Sequence, residues 1–396
     1  MYSRQKVKMS NNILDKSLSE ARIILNEYDL CEHCIGRLFA KKMGVTSNQL
    51  LGKKIKNRLH TKSSKNCYIC KEILSNLQSI VDRMMEKSTD HKFLTFVIGA
   101  ILKPSVTDRD DLIRSKFKLQ GIDSVKTAIT KELSKKFVKK TRKKIDFLYP
   151  DLTFTFNFKD DSCELRTKTL ILSGRYIKKN RGLSQKQPPC SNCKGKGCLQ
   201  CSNHEFSKST SIEGKITKFL FDKFSGTQTK ITWIGGEDKN SLVLGNGRPF
   251  FAKLFNPKKH SARLQKKYVL DELEIHKLQI ISKLPKHVIP FRSTIELSIQ
   301  TEHNLIQKNL EHLNTLKNTP IMVYEKPNKR NQKSIYKIKF KKSSPKSFSF
   351  WITADGGLPI KRFVEGNNVH PNLSELLGTQ CRCKEFDFHK VDLLHF

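Results

Sequence analysis

Four Cys-x-x-Cys pairs constrain this chain more than any other feature of its sequence. They contain eight of the eleven cysteines: Cys31/Cys34, Cys67/Cys70, Cys190/Cys193 and Cys198/Cys201. Two thiolates at this spacing reach one metal ion from a tight turn, and two such pairs complete a tetrahedral zinc site. The sequence therefore predicts structural zinc, because a closed shell of four sulfurs leaves no open position for catalysis.

The pairs predict one zinc site in each half of the chain. Four residues, two of them glycines, separate the last two pairs, so the chain can wrap closely around a single ion at 190–201. The first two pairs are 32 residues apart and would clasp an N-terminal helical hairpin to the segment that follows. Disulfides and a redox-active pair are the competing interpretations. Cys163, Cys381 and Cys383 are interpreted as structural thiols.

The net charge predicts a polyanionic partner. The chain has 75 Lys and Arg against 37 Asp and Glu, a formal charge of +38, with basic clusters at 135–144, 258–267 and 326–342. Such an excess is costly in self-repulsion unless a polyanion lies against it. A Lys-rich, merely solvated surface is the alternative. We predict RNA binding by Lys139, Lys140, Arg142, Lys143 and Lys144.

No membrane contact is expected. No run of about 18 apolar residues occurs, and residues 1–12 lack the apolar core of a signal peptide. Paired cysteines of this kind also fit a reducing compartment, so we expect a cytoplasmic protein. At about 150 residues per domain, the length predicts two or three domains.

Apolar periodicity indicates an α+β protein. The predicted helices are 13–29, 126–144 (with one basic face) and 304–316. The predicted strands are 92–102, 152–158 and 166–173, with an antiparallel pair at 336–340 and 348–352. A boundary near Arg175 would separate an accessory region, 1–175, from a second domain, 176–396, that carries the four-cysteine element 190–201 as an insertion.

One carboxylate stands out in the second half. Asp238 lies in a glycine-flanked turn behind the apolar run 231–234, and the chain returns through Leu242–Leu244 into a second glycine-rich turn. A carboxylate on a strand–turn–strand that faces a basic surface could present a nucleophile to an anionic polymer. A solvated Asp in a hairpin loop is the simpler interpretation of this stretch by itself, because Asp and Gly are ordinary turn residues.

Several motifs in a fixed order carry a family resemblance. They are Cys31-x-x-Cys34-x-Gly36-Arg37, Pro150-Asp151, Ser173–Tyr176, the cluster 190–201, Gly235-x-Glu237-Asp238, Leu244–Phe250, Gly356-Gly357, Ile360-Lys361, Phe363-Val364 and Leu376–Gly378. The seven-residue string Leu244–Phe250 is the strongest single piece. With these motifs the chain resembles the archaeal tRNA pseudouridine synthase family that modifies uridines 54 and 55 of the T loop.

The resemblance implies a fold and a reaction. It implies a zinc-binding, THUMP-type RNA-binding accessory region and a C-terminal pseudouridine synthase domain with a central antiparallel sheet. The reaction is isomerisation of uridine 54, 55 or both in tRNA, with no organic cofactor. We expect tRNA as the partner, and we infer neither a membrane nor an obligatory protein partner.

The resemblance also assigns residues. The aspartate of the family motif falls on Asp238, which makes it the expected nucleophile. Lys361 would neutralise this carboxylate or hold phosphate, although a surface lysine is the alternative interpretation. Arg248, Ile295 and Ile360 complete the expected substrate-binding residues.

Departures from the family pattern keep a second hypothesis open. Gly236 replaces the arginine of the motif, and Asn240 replaces its second acidic residue. The family's active-site tyrosine aligns with Ile295, which offers no aromatic face to a base. A later Gly-Thr-Tyr element reads Gly357-Leu358-Pro359. The alternative is an RNA chaperone or T-loop-binding protein on the same fold, with weak or no isomerase activity.

Overall fold

The chain folds into two compact units, Met1–Lys168 and Thr169–Phe396. The computed structural model describes residues 17–62, 66–188, 191–194, 210–317, 319–326 and 329–394. Each unit has its own hydrophobic core, and the α+β class is confirmed. No helix among the described residues is long and apolar enough to cross a membrane.

The first unit packs helices on a small mixed sheet. Its helices are α1 (17–27), α2 (Glu32–Ala40), α3 (Asn48–Arg58), α4 (Leu77–Ser88), α5 (Pro104–Lys116) and α6 (Val125–Thr141). Its strands are β1 (Thr95–Ile101), β2 (Lys144–Ile145), β3 (Leu152–Asn157) and β4 (Ser162–Thr167), in the order β2-β1-β3-β4. Strand β1 is parallel to both neighbours. Phe137 of α6 contacts Phe96 and Phe154, with ring centroids 4.7 and 5.1 Å away, so α6 covers this sheet.

The second unit is built on a large sheet. Its strands are β5 (Leu170–Lys178), β6 (Gln228–Trp233), β7 (Val243–Phe255), β8 (Lys267–Leu270), β9 (Leu273–Ile281), β10 (Phe291–Thr301), β13 (Ile335–Ser344), β14 (Ser347–Asp355) and β16 (Cys381–Leu393). Their order is β13-β14-β10-β16-β7-β5-β9-β8, with β6 also paired to β7. The pairs are antiparallel except β7 with β16, which meet in parallel at Val243 and Phe388.

The remaining elements of the second unit surround this sheet. A smaller antiparallel sheet contains β11 (Ile321–Lys326), β12 (Lys329–Lys333) and β15 (Val369–His370). The helices are α7 (Ile212–Phe224), α8 (Gln307–Glu311), α9 (Ile360–Glu365) and α10 (Leu373–Leu377), with a 3₁₀ helix at His312–Lys317. Buried side chains of α7, α9 and α10 belong to the same core as those of the large sheet.

Two of the sequence motifs lie side by side in the large sheet. Ser173–Tyr176 is in β5 and Leu244–Phe250 is in β7, with Tyr176 directly opposite Arg248. The Arg175 side chain donates hydrogen bonds to the carbonyls of Asn246 (2.7 Å) and Gly247 (3.0 Å). The stretch Gly245–Gly247, which was predicted as a turn, is therefore part of strand β7, and these bonds fix it to β5.

The structure moves several predicted boundaries. Arg175 lies inside β5, which is hydrogen-bonded to β7 and β9 of the second unit, so the chain divides at Lys168 instead. The predicted helix 126–144 ends at Thr141, because Arg142 adopts the left-handed conformation (φ 56°). The predicted strand 166–173 is the end of β4 and the start of β5. The predicted pair 336–340 and 348–352 is confirmed, with Phe340 opposite Phe350.

A buried ion pair joins three helices of the first unit. Arg37 of α2 and Asp110 of α5 pair directly, and each side chain is 1% exposed. Arg37 also donates to the Asp123 carbonyl (2.6 Å), and Asp110 accepts from the Val125 amide (2.9 Å) at the start of α6. The arginine of the Cys-x-x-Cys-x-Gly-Arg motif is thus a structural residue.

We predict that Asp110→Ala lowers the free energy of unfolding by about 3–5 kcal/mol, because it leaves the Arg37 guanidinium buried without its counter-ion. Urea denaturation followed by circular dichroism measures this. Asp111→Ala is the matched control, since its side chain is 71% exposed and its loss should change little. Equal stability of the two variants would contradict the structural role of the pair.

Candidate active site

Asp238 lies in the loop between β6 and β7 with its carboxylate partly exposed. The side chain is 29% exposed. Its Oδ1 accepts a hydrogen bond from the Asn240 amide (2.9 Å), and the Ser241 amide donates to the Asp238 carbonyl (3.1 Å). These two bonds close a tight turn around the residue and leave Oδ2 for another partner.

Lys361 of helix α9 is that partner. Its Nζ lies 2.8 Å from Asp238 Oδ2. The neighbouring residues Ile360, Phe363 and Val364 are buried in the core and hold the helix in place. Burial opposes ionisation of Asp238, but the hydrogen bonds from Lys361 and the Asn240 amide outweigh it and lower the pKa of this carboxyl. The same hydrogen bond raises the pKa of Lys361. The pair is therefore ionised at neutral pH.

The segment 178–185, which begins at the last residue of β5 and which we call the cradle, holds the Asp238 turn in place by hydrogen bonds. Lys178 Nζ donates to the carbonyls of Asp238 (3.2 Å) and Lys239 (3.3 Å). The Gly182 amide donates to the Lys239 carbonyl (3.0 Å). Gln185 Nε2 donates to the Gly235 carbonyl (3.2 Å). Both ends of the turn are thus tied to one segment.

A second anchor lies on the far side of the turn. Arg181 of the cradle donates to the Asn240 carbonyl, and both of its terminal nitrogens lie 2.7 Å from the carboxylate of Asp387 in β16. Asp387 in turn accepts from the Leu242 amide (2.8 Å). The exit of the turn is therefore fastened to the central sheet.

Glu237 forms a buried charge cluster beneath the turn. Its carboxylate lies 3.1 Å from Lys178 Nζ and 3.4 Å from Arg248 Nε, and it accepts from the Tyr176 hydroxyl at 2.8 Å. The side chains of Glu237 and Lys178 are 0% exposed. Burial lowers the pKa of Lys178 against the opposing effect of Glu237. A buried carboxylate persists only when it is paired and hydrogen-bonded, so this cluster fixes Glu237 inward.

Phe291, the first residue of β10, lies where the loops that contain Gly235 and Gly356 meet. A Cβ atom on Gly235 would lie 2.5 Å from the Phe291 ring, and one on Gly356 would lie 2.4 Å from it. The Gly356 amide donates to the Phe291 carbonyl (2.7 Å). Gly235 precedes Asp238 and Gly356 precedes Lys361, so the lack of side chains lets both loops close on one aromatic ring.

An apolar cavity of about 200 Å³ adjoins this junction. Trp233, Phe251, Ile289 and Phe291 line it together with Val288, which is 95% exposed at the rim. The cavity reaches Gly235, three residues before Asp238. An apolar cavity lined by aromatic side chains is suited to hold a planar ring.

The other predicted substrate-binding residues are buried. Ile295 is 3% exposed and Ile360 is 5% exposed, and both belong to the core. Arg248 is fully buried, where it donates to the Ile234 carbonyl (2.9 Å) and lies 4.1 Å from the Phe388 ring centroid. These three side chains therefore support the turn and the helix rather than offer a surface to a substrate.

Sequence reasoning missed Phe291 and the cradle. Phe291 lies on the same face of β10 as Ile295, four residues earlier, at the end of the strand where that face meets the Asp238 turn. An aromatic residue at the strand start was the available signal. The contacts of the cradle could not be predicted in this way. They go mainly to backbone carbonyls, which are present in every sequence.

The first unit contains the predicted metal-binding cluster. The four sulfurs of Cys31, Cys34, Cys67 and Cys70 lie within 4.8 Å of one another and all four residues are buried. Hydrogen bonds from Cys31 and Cys34 lower the pKa of the Cys67 thiol. Four convergent sulfurs at this spacing could hold a metal ion. In the other predicted cluster, Cys190, Cys198 and Cys201 lie outside the described residues, so the structure describes only Cys193.

Comparison with known proteins decides the family. A family model described as "Pus10, C-terminal" matches residues 171–392, and one described as "Pus10 THUMP domain, archaeal" matches residues 80–157. The chain belongs to the Pus10 family. The predicted family and the predicted THUMP-type domain are thereby confirmed.

Curated relatives in the Pus10 family span nearly the whole chain. The tRNA pseudouridine synthase Pus10 of Nitrosopumilus maritimus is 48% identical over 96% of this chain and 98% of its own length. That of Cenarchaeum symbiosum is 34% identical over 92% of this chain and 90% of its own length. A solved Cbf5-Nop10-Gar1 complex contains a chain with a TM-score of 0.29 and 11% identity, covering 55% of this chain and 48% of that one. The Pus10 C-terminal match includes both Asp238 and Lys361.

We predict that Lys178→Met destabilises the protein by about 3–5 kcal/mol, because it leaves the Glu237 carboxylate buried with one cation fewer. The double variant Lys178→Met/Glu237→Gln should recover part of this loss, since it removes both charges. Lys179→Met is the control, because its side chain is 59% exposed. Urea denaturation measures all three, and a double variant no more stable than Lys178→Met would contradict the pairing.

Proposed function

We propose that this chain converts uridine into pseudouridine in tRNA, with Asp238 as the nucleophile. The Asp238–Lys361 ion pair is the observation that carries the proposal, because it presents an ionised, partly exposed carboxylate in the Pus10 C-terminal region. The names of the relatives support an enzyme over a binding protein. The T-loop uridines 54 and 55 are the proposed targets.

The proposed reaction needs no external reactant. The Asp238 carboxylate attacks or assists at the ribose, and the bond between uracil N1 and ribose C1′ breaks. The uracil turns, and its C5 forms the new bond to C1′ while any bond between the Asp238 carboxylate and C1′ breaks, which returns the carboxylate to its starting form. C5 then loses its proton and N1 carries one, so the product is an isomer of the substrate. In nucleophilic catalysis, a carboxylate commonly divides a difficult glycosidic step into two easier steps.

Access to Asp238 requires that the target nucleotide leave its stack. Stacking on an aromatic ring recovers about 1–3 kcal/mol per base. We propose that the Phe291 ring and the adjoining cavity receive the uracil, in the role for which Ile295 was predicted. Lys361 would then hold the carboxylate ionised until the ribose approaches.

The accessory unit supplies a basic surface for the same RNA. Lys139, Lys140, Arg142 and Lys144 are exposed and Lys143 is half-buried, at the end of α6 and the start of β2. Lys140 pairs with Asp82. We propose that these residues contact phosphates, so their replacement should weaken RNA binding and reduce its salt dependence.

The test of the proposed function is chemical mapping of pseudouridine in an unmodified tRNA transcript. The wild-type protein should modify uridine 54, 55 or both. Asp238→Asn should slow the reaction by about 10⁴-fold or more, because removal of a nucleophile costs most of the rate enhancement. Asp392→Asn, in an ion pair with Lys390, is the control for loss of an exposed carboxylate. Equal product from Asp238→Asn and wild type would exclude Asp238 as the nucleophile.

We predict that Lys361→Met shifts the acidic limb of the pH–rate profile to higher pH. The reactive form of Asp238 is ionised, so it is populated above the pKa of this group. Lys361 lowers that pKa, and its removal raises it, so more of the carboxyl is protonated at mildly acidic pH. Lys390→Met, which breaks the exposed Lys390–Asp392 pair, should leave the profile in place. A profile unchanged by Lys361→Met would contradict the role of the ion pair.

We propose that the cluster of Cys31, Cys34, Cys67 and Cys70 holds structural zinc, as thiolates in a tetrahedral shell do. Such thiols stay reduced in the cytoplasm, where we place the protein. Cys34→Ser should lower the zinc content measured by mass spectrometry and the thermal stability of the chain. Cys163→Ser should leave the zinc content unchanged, because this thiol lies outside the cluster. An equal zinc content in both variants would refute the site.

A further inference from the structure

Three consecutive large side chains of the first unit lie in solvent. Phe147, Leu148 and Tyr149 are 81%, 80% and 62% exposed, in the loop between β2 and β3. None of them belongs to the buried core of the unit. Globular proteins rarely expose contiguous apolar surface without a use for it, and such surface commonly marks an interaction site.

The backbone of this loop is held in place. Asp146 Oδ1 accepts hydrogen bonds from the amides of Leu148 (2.9 Å) and Tyr149 (3.0 Å), which keep the pKa of its carboxyl low. The Asp146 amide donates to the Phe96 carbonyl of β1 (3.0 Å). Lys168 Nζ lies 5.5 Å from the Tyr149 ring centroid. The fold thus displays the two aromatic rings from a fixed turn.

The surroundings of the loop are cationic. Exposed basic side chains precede it or lie beside it: Lys139, Lys140, Arg142, Lys144 and Lys168. Two carboxylates lie in the same stretch, Asp146 and Asp151, and backbone amides occupy both, since Asp151 accepts from the Leu94 (2.8 Å) and Thr95 (3.1 Å) amides. Aromatic rings in a cationic setting match single-stranded nucleic acid, which offers base faces and phosphates together. A purely apolar protein surface would not account for the cations.

We propose that Phe147 and Tyr149 stack on unpaired nucleotides of the RNA substrate while the neighbouring basic side chains contact its phosphates. The inference rests on the proposed function, which supplies the RNA, but it assigns binding to a loop that performs no chemistry. A base-paired helix keeps its base faces stacked internally, so the loop distinguishes unpaired from paired RNA.

The double variant Phe147→Leu/Tyr149→Leu tests the proposal in the full-length chain, because it keeps apolar side chains but removes both rings. Filter binding to a short single-stranded oligoadenylate should weaken by about fivefold or more for each ring that stacks. Binding to a blunt RNA duplex of the same length should not change. Phe147→Trp should bind the oligoadenylate as the wild type does, and its added fluorescence should be quenched by it.

Wild-type affinity in the double variant would overturn the proposal, since apolar surface without rings would then suffice. An equal loss for duplex and single strand would overturn it as well. If the leucine variant proves unstable, the Phe147→Trp fluorescence decides, and no quenching overturns the stacking. Asp238→Asn keeps both rings and should bind the oligoadenylate normally. If the wild-type protein forms no pseudouridine, but replacement of its two rings still weakens oligoadenylate binding, the proposed function is wrong and this inference still holds.

Discussion

The burial of the Glu237 carboxylate is the constraint on which the site depends. A carboxylate with no exposed surface requires cations and hydrogen bonds, and here Lys178, Arg248 and Tyr176 supply them. Glu237 is fixed inward, whereas the side chain of the next residue, Asp238, is 29% exposed. Lys178 connects the two residues, because it pairs with Glu237 and also donates to the Asp238 carbonyl.

Lys361, the cation of the ion pair, is far from Asp238 in the sequence. Lys361 follows Asp238 by 123 residues, so the 2.8 Å contact depends on how the sheet places two loops. Phe291 lies between them and contacts a glycine of each. The ring therefore packs against both loops and also lines the apolar cavity that reaches Gly235. The same two loops, together with Phe291, thus provide both the ion pair and part of the cavity wall.

The features that short motifs encode could be predicted from the sequence. The spacing of Cys31, Cys34, Cys67 and Cys70 predicted their convergence, and the ordered motifs predicted the family and placed Asp238 near Lys361. Regular alternation predicted the strand pair β13 and β14. One face of β14 is buried, whereas on β13 Ile338 is buried, Phe340 is half-buried and Tyr336 is exposed at a shift in register. The function of Asp238 remains a proposal.

The remaining features depend on tertiary contacts that leave little trace in a sequence. Arg248 was expected at the substrate, yet it is buried beside Glu237, since a motif does not reveal which way a side chain points. Ile295 was expected at the substrate, yet the core covers it, while Phe291, on the same face of β10, is only half-buried. The cradle donates hydrogen bonds to backbone carbonyl groups, and such contacts cannot be predicted from the types of residue involved.

We propose that Asp238 performs chemistry rather than binding. The most direct measurement compares tRNA affinity and single-turnover pseudouridine formation for wild type and Asp238→Asn in the same preparations. We expect equal affinity and a rate that falls by about 10⁴-fold or more in the variant. A variant that still forms pseudouridine at the wild-type rate, or that fails to react only because it no longer binds tRNA, would contradict it.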